Sequence, residues 1–66
     1  MSEKINQQET VNGETFYLIY DSLNLCWHVK IDSVELCTYY SQPLNEDEAW
    51  DEFWARVDYA HLEIAA

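Results

Sequence analysis

Cys26, His28, Cys37 and His61 are the side chains of this sequence best suited to nucleophilic or metal chemistry. Residues two apart on a strand share a face, so Cys26 and His28 belong together if their segment is extended. A following strand folded back on that segment places Cys37 opposite His28 and Cys26 opposite Tyr39. Cys26, His28 and Cys37 then offer three zinc ligands. The spacing lacks the CxxC and HxxxH pairs of structural zinc sites, and His61 falls on the core side of a helix. A Cys37–His28 nucleophile pair is the other reactive reading of these residues. Small reduced thiols packed in a sheet account for them without either chemistry. The expectation is no metal, no cofactor and no catalytic residue.

Carboxylates are the second group. Thirteen Asp and Glu face three Lys and Arg, for a formal net charge of −10. Many of the acids gather in the last third of the chain, where Asp47, Glu48, Asp51, Glu52 and Asp58 point away from an apolar helical stripe. Acids in the first helical turn are stabilised by the helix dipole and the free N–H groups, which explains Glu46, Asp47 and Glu48. It does not explain Asp51, Glu52 and Asp58. Asp47 with Asp51, and Glu48 with Glu52, are like-charge pairs at i,i+4, each costing about 0.2–0.5 kcal/mol. Six carboxylates over about 18 Å of helix amount to roughly one per 3 Å, close to the phosphate spacing of about 3.4 Å along one DNA strand. A convex helix face offers no pocket to raise a carboxyl pKa, and the single glycine forms no phosphate-cradling loop. No enzyme is expected.

The elements that must position these groups follow from periodicity. Residues 1–13 read as a polar N-terminal arm with the option of an edge strand, because Asn12-Gly13 is a two-residue hairpin signal that pairs Gln7–Val11 with Glu14–Phe16. Phe16 to Tyr20 is an unbroken apolar and aromatic strand. Asp21-Ser22-Leu23-Asn24 has turn chemistry. From Leu25 to Ile31 the pattern alternates, with Leu25, Trp27, Val29 and Ile31 on one face. With Asp32-Ser33 as a tight turn, Val34 to Tyr40 forms the next strand and sets Val34 opposite Ile31. In the first hairpin Tyr20 faces Leu25, Leu18 faces Trp27 and Phe16 faces Val29, so the apolar faces agree. Gln42-Pro43 ends the sheet. Asn45 and Glu48 form a capping-box pair, and Trp50, Phe53, Trp54, Val57, Ala60, His61 and Ile64 lie within an arc of roughly 120° on a helix from about Glu46 to about His61. The predicted fold is α+β: residues 14–66 form one β-β-β-α domain, a three-stranded antiparallel meander with a fourth strand as an option, packed by one C-terminal amphipathic helix. Trp50, Phe53, Trp54 and Val57 are expected in the core.

The opposite sheet face, with Tyr17, Ile19 and Tyr39, has nothing in so short a chain to cover it, and Tyr-rich sheet surface is common at interfaces. Tyr59 and Leu62 fall on the acidic side of the helix and suggest a mixed aromatic and acidic surface. Strong negative charge disfavours direct contact with nucleic acid or an anionic membrane and favours a basic partner. Met1–Gln8 has no apolar h-region and no stretch has the roughly 18 apolar residues of a membrane span, so a complete cytoplasmic product is expected. In size and charge the chain resembles phage-encoded acidic inhibitors such as anti-CRISPR proteins, anti-restriction proteins and uracil-DNA glycosylase inhibitors, with no shared motif. That likeness implies an inhibitor acting in a host cytoplasm, where it blocks a basic nucleic-acid-binding protein by charge mimicry. The alternative is a homodimeric structural or regulatory module whose charge serves solubility.

Overall fold

Asn12 and Gly13 both adopt positive φ, 50° and 82°, the conformation that a two-residue hairpin of matching twist demands. They join β1 (Glu3–Val11) to β2 (Glu14–Asp21). A computed structural model describes residues 3–33 and 38–65 of the chain, and their side chains as far as Leu62. β3 (Cys26–Ser33), β4 (Tyr39–Tyr40) and α1 (Glu46–Ala65) complete the α+β architecture. The sheet is antiparallel throughout, in the order β1-β2-β3-β4. α1 packs across one face and touches β1, β2 and β3.

β1 takes up the edge-strand option and runs to nine residues, where pairing was expected only over Gln7–Val11. Its pairing runs from Val11↔Glu14 out to Glu3↔Asp21, with one irregularity between Ile5 and Gln7. The long, regular β2 supplies backbone partners along its whole length, and these outweigh the polarity of β1's side chains.

The β2–β3 register differs from expectation by two residues: Leu18 faces Val29 and Tyr20 faces Trp27. Asp21 is the cause. Its Oδ1 accepts the N–H groups of Leu23 at 2.9 Å and Asn24 at 3.2 Å, and its Oδ2 accepts the Asn24 amide at 2.8 Å. Asp21 thereby closes strand β2 and pairs with Cys26, and the connection becomes Ser22–Leu25. Leu25, expected on the inner face, sits in that loop at φ 54° and is 77% exposed. A slip of two leaves every other side chain on its expected face.

The β3–β4 register departs further. Asp32 and Ser33 are not a turn; they pair with Thr15 and Glu14 inside β3. Tyr39 consequently faces Ile31 and Tyr40 faces Lys30. The offset is odd, so the faces exchange: Tyr39 stands on the helix side and Tyr40 on the outer side. Val34–Cys37, including Val34, expected opposite Ile31, and the candidate ligand Cys37, lie outside the described residues. Beyond β4 the chain keeps to the edge of β3. Ser41 N–H donates to the Val29 carbonyl and Ser41 Oγ accepts the Val29 N–H, each at 2.9 Å. Leu44 exchanges both backbone bonds with Trp27 at 2.9 Å, so pairing resumes after Pro43.

The capping box forms reciprocally. Glu48 N–H donates to Asn45 Oδ1 at 2.8 Å, and Asn45 N–H donates to Glu48 Oε1 at 3.2 Å. α1 then buries Ala49, Phe53, Val57 and Ala60 against Val11, Phe16, Leu18 and Val29, with Trp27, Ile31, Leu44 and Trp50 around them. Trp54 and His61, both expected in the stripe, lie at its rim instead: Trp54 is 39% exposed and meets Phe53 edge-on at 5.0 Å, and His61 is exposed.

Candidate functional site

Two surfaces carry the chemically distinctive residues, one on each side of the molecule. On the solvent side of α1, Glu46, Asp47, Glu48, Asp51 and Asp58 are all exposed. Glu48 serves the helix cap. Glu52 is half-buried and engaged by the Arg56 guanidinium one turn on. That same guanidinium lies 4.3 Å from the centre of the Tyr39 ring and donates to the Tyr39 hydroxyl at 3.0 Å. Arg56 is therefore committed to the helix–sheet junction. Lys30 is on the other side of the molecule, 3.7 Å from Asp32 and over the Tyr17 ring, and Lys4 lies on β1. Among the described residues no ion pair neutralises Asp47, Asp51 or Asp58. Tyr59 and Leu62 project from the same helix, 65% and 67% exposed. With Trp54 they set large apolar groups among the acids, as anticipated for Tyr59 and Leu62 and not for Trp54.

The outer sheet face is less open than expected. Ile19 is buried and Tyr17 half-buried, and Tyr39 belongs to the opposite side. The structure thus does not bring Tyr17, Ile19 and Tyr39 together as one exposed face. At one corner of this sheet face the strand ends gather Glu3, Asp21, Cys26, His28 and Tyr40. Asp21 and His28 are buried. His28 Nε2 lies 3.4 Å from Cys26 Sγ, and His28 Nδ1 lies 3.1 Å from the Ser41 carbonyl. A carbonyl only accepts, so Nδ1 carries a proton and, in the neutral ring, Nε2 presents a lone pair to the thiol. Tyr40 stacks on the His28 ring at 4.6 Å and donates to Glu3 at 2.6 Å.

The electrostatics of this corner are set by local bonds. The Asn24 amide holds the Asp21 carboxyl below its ordinary value, with the backbone N–H groups of Asn24 and Leu23 assisting against burial. Burial, and then the Glu3 carboxylate that accepts its hydroxyl, push Tyr40 up to about 12.

Of the three zinc ligands read from the sequence, Cys26 and His28 do meet and Cys37 lies outside the described residues; Asp21 stands beside the first two. One donor atom from each of Asp21, Cys26 and His28 lies within 4.8 Å of the others. Asp21, Glu3 and Tyr40 were not singled out by sequence reasoning for this corner. The signal for Asp21 was its turn chemistry, since a carboxylate that closes a hairpin loop stands directly across from the first residue of the next strand. Comparison with protein-family models, with curated proteins and with solved structures returns no significant match.

Proposed function

We propose that this chain is a small, non-enzymatic inhibitor that docks the acidic face of α1 on a basic, nucleic-acid-binding surface of a host protein. In this reading it acts in the host cytoplasm, in the manner of the phage- and mobile-element-encoded acidic inhibitors it resembles in size and charge. The observation that carries the reading is the uncompensated charge of Asp47, Asp51 and Asp58: they are exposed, and Arg56 and Lys30 are engaged with Glu52 and Asp32 instead. Asp51 and Asp58 lie beyond the first turn, where the helix dipole gives them no stabilisation, and Asp51 repels its like-charge neighbours Asp47 and Glu48. A basic partner relieves that repulsion and is drawn in by it, since a rim of like charge accelerates encounter. Trp54 and Tyr59 supply large rings beside the acids, the residue types that dominate binding energy at interfaces.

The homodimer alternative draws less support, because its proposed face has lost Tyr39 to the helix side and Ile19, though still on that face, is buried. Immobilised wild type and an Asp51→Lys/Asp58→Lys variant, exposed to lysate of the native host, test the proposal. Wild type is expected to retain a basic nucleic-acid-binding protein at low salt and release it at high salt, and the variant to retain none. Equal retention by both proteins contradicts it.

A further inference from the structure

We propose that Asp21, Cys26 and His28 form a binding site for one divalent metal ion of the zinc class, on the sheet face away from α1. This goes beyond the docking role of the helix and stands on different residues. The donor set is a thiolate, an imidazole and a carboxylate, which zinc accepts at about 2.3, 2.0–2.1 and 2.0–2.2 Å respectively. Tetrahedral angles at those lengths put sulfur and nitrogen roughly 3.6 Å apart; Cys26 Sγ and His28 Nε2 are already 3.4 Å apart. The Asp21 donor lies within 4.8 Å of both, so its carboxylate must move in by roughly 1 Å to reach the ligand spacing of a tetrahedral zinc site.

The surroundings match what a metal-ligating histidine requires. Its second nitrogen is held by a backbone carbonyl, here Ser41, which fixes the ring and leaves Nε2 as the ligand. Tyr40 covers the ring. Asp21 accepts three N–H bonds from the loop, and a carboxylate offers about four lone-pair sites, so one remains for a cation. The metal replaces the Cys26 thiol proton, which leaves to solvent. Two anionic ligands then balance a dication in a largely buried corner. Three protein ligands leave the fourth tetrahedral position to water. Asp21 and Cys26 are also the paired residues at the base of the β2–β3 loop, so the ion staples that loop to the sheet, a device small domains use where the core is limited.

Cobalt(II) is the first probe, added to the reduced protein. Wild type and Cys37→Ser are expected to bind one ion with an ultraviolet thiolate-to-cobalt band and the visible bands of tetrahedral cobalt. Zinc should displace cobalt and raise the thermal midpoint, because it binds only the folded chain. Cys26→Ser should lose the thiolate band, and its zinc affinity should fall by at least the roughly 10–100-fold that even outer-shell changes cost. Should that variant fail to fold, X-ray absorption on zinc-loaded wild type decides instead, with one sulfur and nitrogen or oxygen neighbours expected. Absence of a thiolate band in wild type overturns the proposal. So does a band that survives Cys26→Ser and is lost in Cys37→Ser, or a zinc shell with no sulfur or with two.

Discussion

Reversing one exposed charge, Asp51→Lys, should make this protein more stable while removing a residue assigned to binding. Asp51 is exposed on α1, four residues after Asp47 and three after Glu48. Each like-charge neighbour at that spacing costs about 0.2–0.5 kcal/mol, and each opposite-charge neighbour returns a similar amount. A lysine there removes two repulsions and creates two attractions, the i,i+4 one in the favourable order with the acid nearer the N-terminus. The gain is therefore about 0.8–2 kcal/mol, with a small addition from helix propensity. At about 4–8 °C per kcal/mol for a domain of this size, the thermal midpoint should rise by roughly 3–15 °C. Asp51→Asn removes only the repulsions and should give about half the effect. Glu52 is unsuitable for such a test, because Arg56 engages it and a lysine there would face that guanidinium. Melting followed by circular dichroism at low salt measures the gain. At about 1 M salt, where the screening length is near 3 Å, most of it should disappear. An unchanged or lower midpoint at low salt would mean that Asp51 serves the fold, and the reason for assigning it to a partner would be gone.

Phe53, fully buried at the centre of the core, should cost about 3–5 kcal/mol on replacement by alanine, close to the whole stability of a chain this small; Trp54→Ala at the rim should cost distinctly less, and equal urea midpoints for the two variants would contradict the helix orientation. Asp21, whose carboxyl the Asn24 amide holds below its ordinary value, stabilises the fold above its unfolded-state pKa and loses that contribution as pH falls through the lower folded value. Asp21→Asn should accordingly flatten the acid limb of the stability profile, and identical acid limbs would count against the loop closure described. Tyr40, raised to about 12, contributes stability that is complete below about pH 10 and lost as pH rises through its folded value. Glu3→Gln should move its tyrosinate absorbance transition downward, and a transition that does not move would show that the two side chains are not paired.

Much of the fold was legible because it rests on local signals. Asn12-Gly13, the Asn45/Glu48 box and the alternation from Trp27 to Ile31 each specify a conformation within a few residues. Register was less legible. The β2–β3 offset depended on Asp21 spending its side chain on the loop rather than yielding a turn position, a choice between two conformations of the same four residues. The β3–β4 offset depended on whether Asp32-Ser33 turned or stayed extended, and both sequences of events satisfy a simple apolar match. That single odd step carried Tyr39 to Arg56 and Tyr40 to His28. Helix rotation was misjudged for a related reason: the rings of Trp54 and His61 look like core, yet the buried stripe is Ala49, Phe53, Val57 and Ala60. Asp47, Glu48, Asp51 and Asp58 are exposed on α1, a placement that charge at helical spacing implies without tertiary information, whereas Glu52 is half-buried against Arg56. The Asp21–Cys26–His28 corner was only half visible, because its third member arrives through the register.

Competition between this protein and nucleic acid for one surface tests the central claim most directly. The basic protein retained at low salt would be purified, bound to a saturating oligonucleotide, and titrated with wild type and with the Asp51→Lys/Asp58→Lys variant. Mutual exclusion is expected: wild type should displace the oligonucleotide, its apparent affinity should weaken in proportion to oligonucleotide concentration, and the variant should displace little. A stable ternary complex, or displacement by the variant equal to that by wild type, would contradict the assignment of the α1 acidic face as a nucleic-acid mimic.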